Sequence, residues 1–346
     1  MTHPVSLPPP ATTGGKVAVV SPSWCAPAHF PAIHEQALGR LRNLGLEPVE
    51  YPTTRRQGTP QERAEDLMAA FEDPDVSAVI ATVGGDDQVT VLRYLDADRM
   101  TAAPKRFLGY SDNTHLANYL WDHGIGSVYG GSTQVHLGPG PAVDPMHLAS
   151  LRAALFGGTH EVRVVPRTFD AGLGWDTPEA LTRPAPDAPA EPWTWSGPEV
   201  RVSGRTWGGC LESVAETLQV GRWMMPGESY AGAVLLLEPS EERPDPEVCF
   251  RILRALGERG ILGGASALLW GRPPVGDREH TPSPEQASAR RGEYREAVLR
   301  AVADYAPEAV VVMDVDFGHT SPQVVLPYGG EVTVDGAARR ITADFG

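Results

Sequence analysis

The 346-residue chain carries 29 basic against 44 acidic side chains, a formal charge of −15, which disfavours a nucleic-acid polymer as partner because phosphate neutralisation needs a basic surface. With 41% hydrophobic and 21% charged residues it has a globular composition and room for two domains of ordinary size, which excludes wholesale disorder. No run approaches the ~18 apolar residues of a membrane span. Met1-Thr2-His3-Pro4 lacks a basic and then apolar leader. The three cysteines, Cys25, Cys210 and Cys249, are far apart and form no CxxC, which fits a reducing cytoplasm and argues against a disulfide scaffold or a cysteine-built zinc site.

Residues 1–15, with four prolines and two glycines, read as a mobile lead-in. From Lys16 strands and helices alternate. Val17 to Val20 is a strand, and Ile33, Ala37, Leu38, Leu41 and Leu44 fall at helical spacing. Pro48 to Tyr51 reads as a strand and Glu62 to Phe71 as a helix; Ala78 to Val83 is an apolar strand ending at Gly84-Gly85, before a helix through Val91 and Leu95. Strands at Arg106–Gly109 and Gly126–Tyr129 flank a helix over 113–123. A helix over 144–156 has Asp144 as N-cap, Pro145 at N1 and Gly157 past its end. Near-continuous apolar strands between amphipathic helices are the pattern of a parallel sheet covered on both faces.

From Arg163 to Gly204 the periodicity stops, and seven prolines and three of the eight tryptophans fall in this stretch. Loops this long inside a compact protein are usually lids or linkers. Regular structure returns with a strand over 232–237, a helix capped by Asp245-Pro246, a strand over 265–270, and a helix opened by the capping box Ser283-Pro284-Glu285-Gln286. Strands at 309–313, 324–326 and 331–334 finish the chain. The division that follows is a lead-in (1–15), an N-terminal α/β domain (16–160), a Pro/Trp-rich loop and linker (161–205) and a C-terminal domain (206–346).

Four segments can carry chemistry. Gly109-Tyr110-Ser111-Asp112-Asn113 joins a strand to a helix, the setting of a nucleophile elbow, although Asn113 stands where that motif has a second glycine. The plain alternative is that Ser111 or Asp112 caps the helix. Thr82-Val83-Gly84-Gly85-Asp86-Asp87 is a turn that can offer backbone amides to an oxyanion or a phosphate, or only turn the chain. Glu238, ending the apolar run Leu235-Leu236-Leu237, either orients a histidine or reaches solvent. His319 alone among ten histidines sits in a Gly-flanked loop after a strongly apolar strand, and His115, His123 and His136 are its rivals as a general base. There is no GxGxxG after the first strand, no Walker A sequence and no HExxH, so dinucleotide binding and metal hydrolysis have no support. The order Ser, Glu, His supplies the three roles of nucleophilic acyl transfer.

Taken together, Gly84-Gly85-Asp86-Asp87, Gly109-Tyr110-Ser111-Asp112-Asn113-Thr114, Trp207-Gly208-Gly209-Cys210-Leu211, Leu237-Glu238 and Gly318-His319-Thr320-Ser321-Pro322 resemble the serine LD-carboxypeptidase family, within it most the microcin C immunity (MccF-like) branch. The resemblance runs from Lys16 to the C-terminus. It implies a flavodoxin-like N-terminal α/β domain with a parallel sheet and helices on both faces, a β-rich α/β C-terminal domain, and an active site in the cleft between them. It further implies Ser111 as nucleophile, Glu238 and His319 completing a triad, and backbone amides of Gly85 and Asp112 as the oxyanion hole. Gly84 and an aromatic of the long loop would contact substrate, with Trp175 nearest the expected place and Trp193 and Trp195 as rivals; packing anchors are the plain reading of each.

The resemblance also implies a homodimer without metal or organic cofactor. Its substrate in one branch is a peptidyl- or aminoacyl-nucleotide, cleaved to detoxify aminoacyl-adenylate mimics, and in the other a muropeptide that loses its terminal D-Ala. The turn Ser21-Pro22-Ser23-Trp24 departs from the family pattern. Two readings of other classes stand beside this one: a non-catalytic two-lobed ligand-binding protein, and a nucleotide-dependent oxidoreductase or transferase.

Overall fold

Two sheets share the work of placing the cleft. The computed structural model describes residues 4–346. The first sheet has six strands, in the order Leu326–Tyr328, Ser127–Tyr129, Arg106–Gly109, Val76–Ala81, Lys16–Val20 and Glu47–Glu50. Five of these run parallel; Leu326–Tyr328 pairs antiparallel with Ser127–Tyr129 at the edge. The central strands Lys16–Val20 and Val76–Ala81 are almost wholly buried, which is why their sequences read as unbroken apolar runs.

The second sheet has eight strands, in the order Thr159–Val162, Arg340–Asp344, Glu331–Asp335, Arg201–Cys210, Val234–Glu238, Ala267–Gly271, Val310–Val315 and Thr194–Ser196. Its centre is parallel from Arg201–Cys210 through Val310–Val315, and antiparallel strands flank that core on both sides. Helices Pro246–Glu258 and Pro284–Tyr305 belong to this half; the second opens with the expected capping box at Ser283 and Gln286. Helix Pro145–Phe156 has Asp144 accepting from Met146 and His147 N–H, with Gly157 at its end, as its sequence punctuation predicts. Among the described residues no helix is long and apolar enough to cross a membrane.

Several expectations change. Of the lead-in expected to be mobile, residues 1–3 lie outside the described residues, while 4–15 are pinned to the domain at single residues: Val5 and Ala11 are buried, Ser6 bridges Ile125, and Ala11 N–H donates to the Leu155 carbonyl at 2.7 Å. Isolated apolar residues among prolines show no periodicity, so this docking left no pattern to read. The helix expected through Val91 and Leu95 is instead two 3-10 turns, Gln88–Thr90 and Leu92–Tyr94, followed by helix Ala97–Ala102. The halves also exchange strands. Thr159–Val162 joins the second sheet, and Leu326–Tyr328, deep in the C-terminal half, joins the first.

Candidate active site

Strand Arg106–Gly109 passes through Tyr110 into an abrupt turn in which Ser111 has φ 63°, the left-handed region for a residue with a side chain. The 3-10 turn Ser111–Asn113 then opens helix Thr114–Asp122. Neither Ser111 nor Asp112 caps that helix. The strained turn persists because its neighbours over-determine it. Asn113 Nδ2 donates to the Tyr110 and Val83 carbonyls at 3.0 and 3.1 Å, and Asn113 Oδ1 accepts from Gln88 Nε2 at 2.8 Å. Asp112 is buried and accepts from the Ser23 hydroxyl and from Gln88 N–H. The asparagine that breaks the glycine motif thus holds the turn through its amide.

The double-glycine turn lies directly against the serine. A Cβ on Gly84 would stand 2.7 Å from Ser111 Cβ and 2.8 Å from its Oγ, and one on Gly85 would strike the Ser23 hydroxyl. The same imaginary Cβ on Gly84 lies 3.3 Å from the Asp112 amide nitrogen, so the two backbone segments meet beside the hydroxyl.

Across the cleft, Glu238 ends the buried strand Val234–Glu238 and has no exposed surface. Its Oε1 accepts from the Tyr129 hydroxyl at 2.6 Å, and its Oε2 lies 2.7 Å from His319 Nδ1. An ionised carboxylate only accepts, so this contact puts a proton on Nδ1 and leaves Nε2 for exchange with the cleft. Burial raises the Glu238 carboxyl, and the His319 and Tyr129 contacts oppose that rise. Burial opposes a charge on His319, but the carboxylates of Glu238 and Glu241 outweigh it and lift the imidazole to about 9. Glu241 Oε2 lies 3.1 Å from Nε2, outside hydrogen-bonding geometry.

The loop carrying His319 is fixed on three sides. Gly318 has φ 92°, and a Cβ there would run into the Glu238 carboxylate. Gln323 Nε2 donates to the Gly318 carbonyl at 2.7 Å, while its Oε1 accepts from Gly131 N–H at 3.1 Å. Phe169 and Ser321 exchange both backbone hydrogen bonds, at 2.8 and 2.9 Å, which ties the linker to this loop.

Ser111, His319, Gly84 and Gly85 line one cleft of about 630 Å³, together with Trp24 and Trp175. Phe30, which does not itself line the cleft, packs T-shaped on Trp175 at 5.5 Å and on Trp24 at 6.1 Å and so links these two wall residues. Trp193 and Trp195, expected as rivals of Trp175, do not line it. Trp193 Nε1 donates to Asp316 at 2.8 Å, helping Arg272 satisfy a wholly buried carboxylate, and Trp195 pairs with Val312 within the second sheet. Both are packing anchors. Of the other histidines, His115 faces Glu216 and His123 bonds the Tyr119 carbonyl, while His136 stacks on His147 and packs on Tyr110 behind His319 without lining the cleft.

Cys210 Sγ, a Glu238 oxygen and a His319 nitrogen lie within 4.8 Å of one another. The last two are already joined by a shared proton, and burial pushes the Cys210 thiol well above its ordinary value, so this group serves proton chemistry better than ligation. Sequence reasoning missed Tyr129, Gln88 and Glu241. Ser23 and Trp24 did carry a signal, as the turn that departs from the family pattern.

The family models for the LD-carboxypeptidase N-terminal and C-terminal domains match residues 17–130 and 203–334. The chain belongs to the LD-carboxypeptidase family. As such it is a serine peptidase, and the non-catalytic and oxidoreductase readings fall. Among its relatives, the microcin C7 self-immunity protein MccF of Escherichia coli is 26% identical over 345 residues, covering 96% of this chain and 94% of that one. The murein tetrapeptide carboxypeptidase of Pseudomonas aeruginosa is 27% identical over 343 residues, covering 93% and 94%. The solved structure of MccF in complex with aspartyl sulfamoyl adenosine superposes with TM-score 0.83 at 22% identity, covering 98% of both chains. That of an MccF-like protein from Streptococcus pneumoniae with AMP gives 0.81 at 25% identity, covering 96% and 99%. These family structures share the two-domain α/β fold described above.

Proposed function

We propose that this LD-carboxypeptidase-family enzyme is MccF-like and hydrolyses the amide-type bond joining an aminoacyl or peptidyl group to a nucleotide, with Ser111, His319 and Glu238 as its triad. In this reading His319 Nε2 takes the Ser111 proton as Oγ attacks the carbonyl, and Glu238 holds the Nδ1–H tautomer and steadies the imidazolium. Backbone amides of Gly85 and Asp112 receive the developing oxyanion. The imidazolium returns its proton to the leaving nitrogen, the C–N bond breaks, and water releases the acyl group from the serine.

The observation that carries the substrate choice is the pair of tryptophans, Trp24 and Trp175, in the cleft that also holds Ser111 and His319, with Phe30 packed against both. Stacking a base on such a ring contributes ~1–3 kcal/mol. MccF structures that hold aminoacyl sulfamoyl nucleotides support the same class. A second reading, removal of terminal D-Ala from muropeptides, is favoured by the likeness to the murein tetrapeptide carboxypeptidase. Incubation with an aminoacyl sulfamoyl adenosine and, separately, with an L,D-tetrapeptide, followed by mass spectrometry, decides between them. Adenosine sulfamate is the product expected; D-Ala release alone would replace this reading with the second.

A further inference from the structure

Glu241 stands beside the base without a role in the chemistry above. Its carboxylate is mostly solvent-exposed, at 69%, yet Oε2 lies 3.1 Å from His319 Nε2 and the side chain lines the cleft with Ser111. The turn beneath it is built. Ser240 N–H and hydroxyl donate to Glu212 at 3.1 and 2.6 Å, Glu242 N–H donates to the Ser240 hydroxyl at 3.1 Å, and Arg243 pairs with Asp277 at 2.6 Å. Of the cleft's other acids, Asp170 accepts from two backbone amides and faces Arg291, and Asp277 holds Arg243 and two amides, while the exposed Glu279 has no ion pair among the described residues and does not reach His319. Glu241 has His319 as its sole cationic partner among the described residues.

For Nε2 to accept the serine proton the imidazole has to be neutral, and a carboxylate 3.1 Å away favours its charged form. A carboxylate leaving an imidazolium is stabilised by another cation at the same place, and the group of the substrate nearest that place is the acyl residue bonded to the scissile carbonyl. We infer that Glu241 forms a subsite for an ammonium group on the acyl residue of the substrate, exchanging His319 for that ammonium when substrate binds. The inference rests on the reading under Proposed function. Two sources share this chemistry, the α-ammonium of an aminoacyl group and the side-chain ammonium of a basic residue. Glu241 is thereby a specificity-determining residue.

The test compares norleucyl, N-acetyl-norleucyl and lysyl sulfamoyl adenosine with the wild-type enzyme and with E241Q and E241D. A charge-assisted contact contributes enough for a preference of about tenfold or more in kcat/KM. Norleucyl over N-acetyl-norleucyl marks the α-ammonium, and lysyl over norleucyl marks the side chain. The preference found is expected to fall toward unity in E241Q, to return in part in E241D, and to do so without a change in thermal midpoint. A wild-type enzyme with neither preference, or an E241Q enzyme that keeps the wild-type ratio, overturns the subsite. No turnover of any of the three by the wild type overturns the functional reading itself, and the subsite with it.

Discussion

His319 sits between two carboxylates, one buried and one exposed, and that position governs when it can act as a base. The groups facing it are Glu238, Glu241 and, further off, Glu212, with Tyr110, Tyr129, the Cys210 thiol and His136, which burial keeps neutral, packed around them. A base must be unprotonated, and an imidazole lifted to about 9 is mostly protonated at neutral pH. Activity at low substrate concentration is therefore expected to climb with pH and level off only above about 9. In E241Q one of the raising charges is gone, so the acid limb of that profile moves to lower pH; an unmoved limb would show that Glu241 does not act on the ring. Ser111→Ala is expected to lower kcat by about 10⁴-fold or more while the circular dichroism and thermal midpoint stay as they were. Tyr129→Phe removes a donor from a buried carboxylate and is expected to destabilise by about 1–3 kcal/mol in denaturant titration.

The elbow and the loops around it test a different kind of constraint, that of backbone fit. Gly84→Ala places a methyl group on Ser111, so kcat should collapse while folding, measured by unfolding midpoint, changes far less. At this scale the sequence was informative wherever one element bore the whole signal. Ser111 stood between an apolar strand and a helix, Glu238 closed an apolar run, and His319 followed one, so each could be placed without knowing its neighbours. Partnerships across the fold entered only through the family resemblance, as for Ser111, Glu238 and His319, or not at all. Tyr129 looks like an ordinary strand tyrosine until Glu238 arrives 109 residues later in the chain. Trp193 and Trp175 share a loop and a residue type, and only the buried Asp316 separates an anchor from a cleft wall. The stretch 4–15, pinned at Val5, Pro8 and Ala11, and the 3-10 turns near Gln88 show no period at all, because side-chain contacts rather than a regular backbone face determine them.

Arg106 extends the constraint to the molecule as a whole. It is buried, and its guanidinium donates to the carbonyls of Pro8, Ala154 and Phe345, so one side chain joins the beginning, the middle and the end of the chain. Arg106→Met leaves three carbonyls without that donor, and limited proteolysis is expected to cut both ends of R106M well before the wild type. Arg272 and Asp316 form a second buried tie, fully enclosed at 2.8 Å. Removing the arginine alone strands a negative charge, and Arg272→Met should cost about 3–5 kcal/mol by denaturant titration.

The strand Leu326–Tyr328 follows the His319 loop by only a few residues yet completes the sheet that carries Ser111. The loop is thereby moored at one end in each half, to Val310–Val315 behind it and to the neighbour of Ser127–Tyr129 ahead. A gene split at the linker would produce a first half whose border lacks its last ribbon, with open amides inviting foreign pairing. Ser111 and His319 are in this sense stitched into a single fabric by a thread that passes through both halves.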